Sequence, residues 1–245
     1  MFAFASMPAL ATTSTASRTA SAKKKKKKKK KRRAVAKRRS KRGKQVAAVA
    51  SDGHVSNMPA GWAWPPNAAM KTAARTCEDE LTSFGLAWEA APREGKIAAP
   101  VVVPEMEIGG IKYKSVYKKP PFTMDCHLVR VLAAIGPELR AIGVREIKFG
   151  SIYRNTNVRA HGQTKNILSR HALGLAMDIK DFVDASGRDA NVELDYLKGD
   201  QLLHNIEDVI NKSNKFRIVL TPGNDPLSHY DHFHVEASVD YSAFR

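Results

Sequence analysis

Apolar positions recur at helical spacing in three stretches of the chain. Cys77, Leu81 and Phe84 stand before Gly85, which predicts one short helix and its stop. Leu128, Leu132, Ile135, Leu139 and Ile142 predict a long amphipathic helix over residues 125–142, with Gly136-Pro137 as the point where it could bend. Leu202, Leu203, Ile206, Val209 and Ile210 predict a further helix over residues 197–212. Between these lie strand-like runs. They are residues 101–103, a hairpin of residues 106–108 and 111–116 around Gly109-Gly110, and residues 145–154 with Ile147, Phe149, Ser151 and Tyr153 alternating. Residues 175–183, 217–220 and 233–237 complete the set, the first closed by a turn at 184–188. Residues 155–166 are polar and read as a loop that should rim something. The order of elements predicts an α+β fold, a small antiparallel sheet backed by helices.

Charge changes the picture at one end only. Between Lys23 and Lys44 there are 17 Lys and Arg and no acid, which accounts for the whole of the formal +17. The rest of the chain is therefore neutral. A run of that composition cannot bury a core, and attraction to a polyanion is the most it supplies, whether nucleic acid or an anionic envelope polymer. No aromatic residue interleaves it, so base stacking is absent. Ahead of it, residues 1–22 join a short apolar piece to small residues ending Ala20-Ser21-Ala22, as in a signal peptide, but without the cationic start. The division expected is a signal or disordered segment at 1–22, a basic tail at 23–45, a linker at 46–70 and a folded domain at 71–245. No run is long and apolar enough for a membrane-spanning helix. Cys77 and Cys126 either form a disulfide in an oxidising compartment or stand as two buried thiols.

The chemistry concentrates in Ser169-Arg170-His171-Ala172-Leu173-Gly174-Leu175-Ala176-Met177-Asp178 and, some fifty residues on, His232-Phe233-His234. Gly174 and the strand-like run after it argue against one helix carrying both His171 and Asp178. His171 is expected on a turn, with Asp178 on one face of the next strand and Met177 and Ile179 on the other. On a strand His232 and His234 share a face while Phe233 turns inward. Two imidazoles and a carboxylate can then converge on one ion, since catalytic zinc takes three such ligands and leaves a fourth position open. On residue type and spacing alone the set reads either as that metal site or as an ion pair with ordinary histidines. His127 reads as a helix residue without chemistry.

Ser169-x-His171-x-x-Gly174-x-Ala176-x-Asp178 followed by His232-x-His234 resembles the zinc motif of the D-alanyl-D-alanine peptidase, lysostaphin and hedgehog group. Cys126 opening a helix, Gly150-Ser151-x-Tyr153-Arg154, Phe182, Val219-Leu220-x-Pro222-Gly223 and the His-rich last strand resemble more closely the bacterial extensin-like C-terminal family. Arg170 departs from that pattern, standing where the family commonly has Glu. The resemblance implies a hedgehog/DD-peptidase-like fold with His171, Asp178 and His234 as zinc ligands. Arg154 would hold the substrate or its developing oxyanion. As the general base it implies His232, then His229, then Asp231, with Glu236 supporting His234. The function implied is zinc-dependent hydrolysis of peptide or amide bonds in cell-wall peptidoglycan, with metal-bound water as nucleophile, by an exported protein of the periplasm or envelope. Against it stand a zinc-containing wall-binding domain without turnover, and a polyanion-binding protein working through its basic tail.

Overall fold

The structure, a computed structural model, describes residues 57–160 and 162–244. The expectations for the signal-like segment and the basic tail lie outside the described residues, as do residues 46–56 of the expected linker. Helix α1 (Ala68–Ser83) is opened by Asn67, whose side chain accepts from the Met70 amide, and Gly85 beyond its end is left-handed. Next in the chain are β1 (Glu89–Ala90), β2 (Pro100–Val102), β3 (Glu107–Ile108), β4 (Ile111–Ser115) and β5 (Met124–Asp125). Helix α2 (Cys126–Ala141) begins where the Asp125 carboxylate accepts from the His127 amide, and it buries residues on every face. Gly109 and Gly136 explain how it sits so close to the β3/β4 turn. A Cβ at Gly136 would lie 2.3 Å from the Gly109 carbonyl oxygen.

Strand β6 (Val144–Ser151) leads to β7 (Asn157–Ala160), β8 (Gln163–Leu168) and β9 (Ala176–Asp184). Next come β10 (Asp189–Asn191), the short α3 (Val192–Asp195), α4 (Gln201–Lys212), β11 (Phe216–Leu220) and β12 (Phe233–Ala237). The main sheet has seven strands in the order β11-β12-β9-β6-β4-β3, with β10 against β9. The architecture is mixed α and β, as the periodicities predict. The sheet is larger than expected and not purely antiparallel, for β4 and β6 run parallel. The reason is topological: the chain between them crosses over through α2, and such a crossover returns a strand parallel to its predecessor.

Leu128, Leu132 and Ile135 of α2 pack with Ile147 and Phe149 of β6, Met177 and Ile179 of β9, and Phe233 and Val235 of β12 in one core. Alternation therefore leaves Asp178, Lys180, His234 and Glu236 on the opposite face of the sheet. A disulfide joins Cys77 of α1 to Cys126 of α2 across a Cα separation of 6.1 Å.

Three expectations change. The helix read over 197–212 starts at Gln201, because Gly199 is left-handed and Asp200 caps the first turn through the Leu203 amide. Residues 155–166 are no open loop, for β7 and β8 pair as an antiparallel hairpin. Residues 57–70 are not extended linker: Ala60 bridges Asp240, Trp62 packs on the core, and Met70 is buried at the start of α1. Among the described residues no helix is long and apolar enough to cross a membrane.

Candidate metal centre

Residues Arg170–Leu173 form a single 3-10 turn. The Ser169 hydroxyl accepts from the His171 amide at its start, and Gly174 ends it at φ 66°. A Cβ at Gly174 would lie 2.8 Å from the Asp125 backbone nitrogen, so both its dihedral and its surroundings require glycine. The turn holds His171 fully buried under the sheet face. Its Nδ1–H donates to the Ile152 carbonyl at 2.6 Å, which leaves Nε2 with a free lone pair.

That lone pair meets two others. Cross-strand register places His234 of β12 directly opposite Asp178 of β9, and Ser151 of β6 opposite Asp178 on its other side. His171 Nε2 is 3.1 Å from Asp178 Oδ1 and 3.3 Å from His234 Nδ1, and His234 Nδ1 is 2.8 Å from Asp178 Oδ1. These separations are close to the ~3.3 Å edge of a tetrahedron built on ~2.0 Å metal–ligand bonds. The remaining polar atoms are taken. His234 Nε2 is 3.2 Å from Glu236 Oε1, and Asp178 Oδ2 accepts from Ser151 Oγ at 2.8 Å. Outer hydrogen bonds of this kind fix the orientation of metal-ligating side chains. The donor set of two imidazoles and a carboxylate could therefore hold a divalent metal ion.

The electrostatics are set by burial and pairing. Burial pushes the His171 imidazole down against the pull of Asp178. Burial also acts against the charged form of His234, but hydrogen bonds to Asp178 and Glu236 overcome it and raise that imidazole to about 9. Asp178 is held well below the carboxylate range, as its two imidazole partners outweigh its burial. Burial of Glu236 is likewise outweighed, by His234, Arg217 and Arg170, leaving it near 2.

The other residues singled out in the sequence also gather here. Arg154 places Nη2 3.1 Å from Asp178 Oδ2 with half of its side chain in solvent. His232 lies just ahead of β12 rather than on it, yet its Nε2 is 3.5 Å from Asp178 Oδ1. Its Nδ1–H donates to Asp231 Oδ1 at 2.7 Å, and Asp231 Oδ2 accepts from the Lys180 ammonium. His229 shares a 2.9 Å hydrogen bond with Asp225 through Nδ1, and its ring centre is 4.9 Å from that of His232 and 5.3 Å from that of His234. Burial, with the charge on His234, lowers the His229 imidazole. Arg170 does not join the ligands. It is buried, and its Nε donates to the Asn57 carbonyl at 2.5 Å.

Three participants escape a reading of the sequence, Lys180, Asp225 and Arg217, while Ser151 enters it only as part of the motif ahead of Arg154. Two carried a local signal. Lys180 stands two residues after Asp178 on the same strand face, and Asp225 four residues before His229. Arg217, which pairs with Glu236 and donates to Asn57 Oδ1 at 2.6 Å, is recognisable only once β11 and β12 are known to be neighbours. A cavity of about 780 Å³ opens beside the ligands, lined by His171, His229, His234, Arg154, Arg217 and Asn57 among others.

No curated protein and no solved structure matches the chain. The family model for the extensin-like protein C-terminus matches residues 75–244, a span that contains the two disulfide cysteines, all three converging ligands and both flanking Asp–His pairs. The chain belongs to the extensin-like protein C-terminus family.

Proposed function

We propose that the protein is a zinc-dependent hydrolase of peptide or amide bonds in cell-wall peptidoglycan, akin in site and fold to the D-alanyl-D-alanine peptidase, lysostaphin and hedgehog group. The observation that carries the reading is the convergence of His171 Nε2, Asp178 Oδ1 and His234 Nδ1 beside a cavity and beside a histidine that is not itself needed as a ligand. Two nitrogen donors and one oxygen at near-tetrahedral spacing suit zinc better than magnesium or calcium, which favour oxygen alone. When bound, zinc supplies a Lewis acid that polarises a carbonyl and makes water acidic near neutral pH.

The chain's own residues do the rest. His232 is set up as the proton acceptor. Donation of its Nδ1–H to Asp231 fixes the tautomer and leaves Nε2 a lone pair facing the centre. Asp231 is fully engaged by His232 and Lys180, so its part is to orient the imidazole rather than to take the proton. Protonated His232 then returns the proton to the departing amine. Arg154 reaches the centre at the other oxygen of Asp178, and its half-exposed guanidinium stabilises negative charge growing on the carbonyl oxygen. His229, held by Asp225, borders the cavity and is the second choice of base.

The Cys77–Cys126 disulfide supports an oxidising compartment, in keeping with export to the cell envelope, where residues 23–44 would adhere to anionic polymers. Zinc content and product release from purified peptidoglycan, measured on the wild type and on His171→Ala, test the function. The wild type is expected to hold one zinc and to release peptide fragments, and the variant to do neither. Undiminished cleavage by a zinc-free His171→Ala protein overturns the mechanism.

A further inference from the structure

We propose that the site binds an anionic chain on both sides of the metal centre, so that the bond presented for reaction is internal rather than terminal. This rests on the hydrolase reading and deepens it by naming the kind of substrate. Strand order sets the geometry. Two of the ligands come from β12 and β9, with β11 on one flank and β6 and β4 on the other, and His171 comes from the turn ahead of β9.

Over the β11 flank lies the cavity of about 780 Å³. Its lining includes Ile218 and Leu220 of β11, Glu236 of β12, and Asn157, Arg159 and Thr164 of the β7/β8 hairpin. Over the β6 flank lies a second hollow of about 160 Å³, lined by Ser115 of β4 and by Phe149, Gly150 and Ser151 of β6, with Phe122 and Tyr153. The metal centre borders both. His171 and His234 border the cavity, whereas Ser151, which donates to Asp178, borders the hollow. The two consecutive residues Tyr153 and Arg154 line opposite flanks. A site that trims only a chain end needs room on one side of the reacting bond, and this one has room on both.

The two flanks also share a sign. In the cavity the acids are already engaged, Asp225 by His229 and Glu236 by Arg217, which leaves Arg159 of the hairpin for a ligand. In the hollow Lys118 and Lys119 face a single acid, Glu94. Carboxylate groups on either side of the reacting bond would therefore be attracted, weakly per contact and in a salt-dependent way, because these cations are exposed.

Calorimetric titration of the full-length protein stripped of metal decides the matter without relying on turnover. The probes are a cross-linked peptide dimer and the uncross-linked stem peptide, both purified from digested peptidoglycan. The dimer is expected to bind about tenfold more tightly, since it alone reaches both flanks. Lys118→Glu/Lys119→Glu on one flank and Arg159→Glu on the other are each expected to raise the dimer's Kd about fivefold. These residues are exposed, and a circular dichroism spectrum like that of the wild type shows that each variant is folded. Equal affinity for dimer and stem, no binding of the dimer, or indifference to either charge reversal overturns the proposal. With zinc restored, mass spectrometry is expected to show dimers split into stems, and release of a terminal amino acid alone overturns it as well. Charge-dependent dimer binding without any hydrolysis would instead refute the hydrolase reading and leave the two-sided groove standing.

Discussion

At the scale of single residues the site is a set of ligand atoms, each oriented by one further partner. His171 is set by the Ile152 carbonyl, His234 by Glu236 and Asp178 by Ser151, while His232 is set by Asp231 and through it by Lys180. Lys180 touches no ligand atom, so its contribution is separable from metal binding. Lys180→Met is expected to lower kcat about tenfold with little change in KM or zinc content, and Lys180→Arg to restore most of the loss. Kinetics on both variants, with metal analysis, check this; a kcat unchanged in Lys180→Met shows that His232 needs no such support. Residue types and spacing pointed to His171, Asp178 and the His232/His234 pair, because coordination chemistry demands imidazoles and carboxylates, and the family resemblance chose His234 from the pair. The same spacing left open whether they met, since contact between a turn and two strands is not encoded in either alone.

At the scale of elements, small backbone irregularities aim the side chains. The alternation of Ile147, Phe149, Ser151 and Tyr153 reads as one face of a strand, yet Phe149 is in the core while Ser151 reaches Asp178. The register shift between Phe149 and Ser151 accounts for it, because an extra residue in a strand turns the side chains beyond it to the other face. The turn under His171 depends on Gly174. Gly174→Ala is expected to cost about 1–2 kcal/mol for the left-handed backbone alone, with a further loss from the contact at Asp125. Urea unfolding measures it, with reduced zinc content expected alongside. The turn after β9 gives a pH test. Asp184 accepts from the Ser186 hydroxyl and from the Ser186 and Arg188 amides, which hold its carboxyl down to about 2. A carboxylate lowered on folding stabilises fully above its unfolded pKa of about 3.9, and that contribution disappears as pH falls through about 2. A carboxyl NMR titration of Asp184 with a midpoint near 2, moving part of the way up to the ordinary range in Ser186→Ala because the Ser186 and Arg188 amides still donate, is the expected result.

At the scale of the whole molecule the sheet carries the core on one face and the chemistry on the other, and the disulfide ties α1 to α2 within the core. The bridge closes a loop of 49 residues, so reduction or Cys77→Ser/Cys126→Ser is expected to remove about 4 kcal/mol of stability. Chemical denaturation under oxidising and reducing conditions compares the two states. A shift of less than about 1 kcal/mol would show the reduced chain to be held by its core alone. The apolar stripes of the helices, the alternation of β9 and β12, the Gly85 stop and the ligand types were legible in the sequence, because each is written within one or two turns of chain. Only the tertiary structure decided the parallel β4–β6 pair, the hairpin in place of a loop, the bulge that turns Ser151, the bond between the two cysteines and the Lys180–Asp231–His232 chain. Each of these depends on which distant segments become neighbours and in what register. That is settled by burial and pairing across the whole sheet, where a shift of one residue reverses the face a side chain occupies.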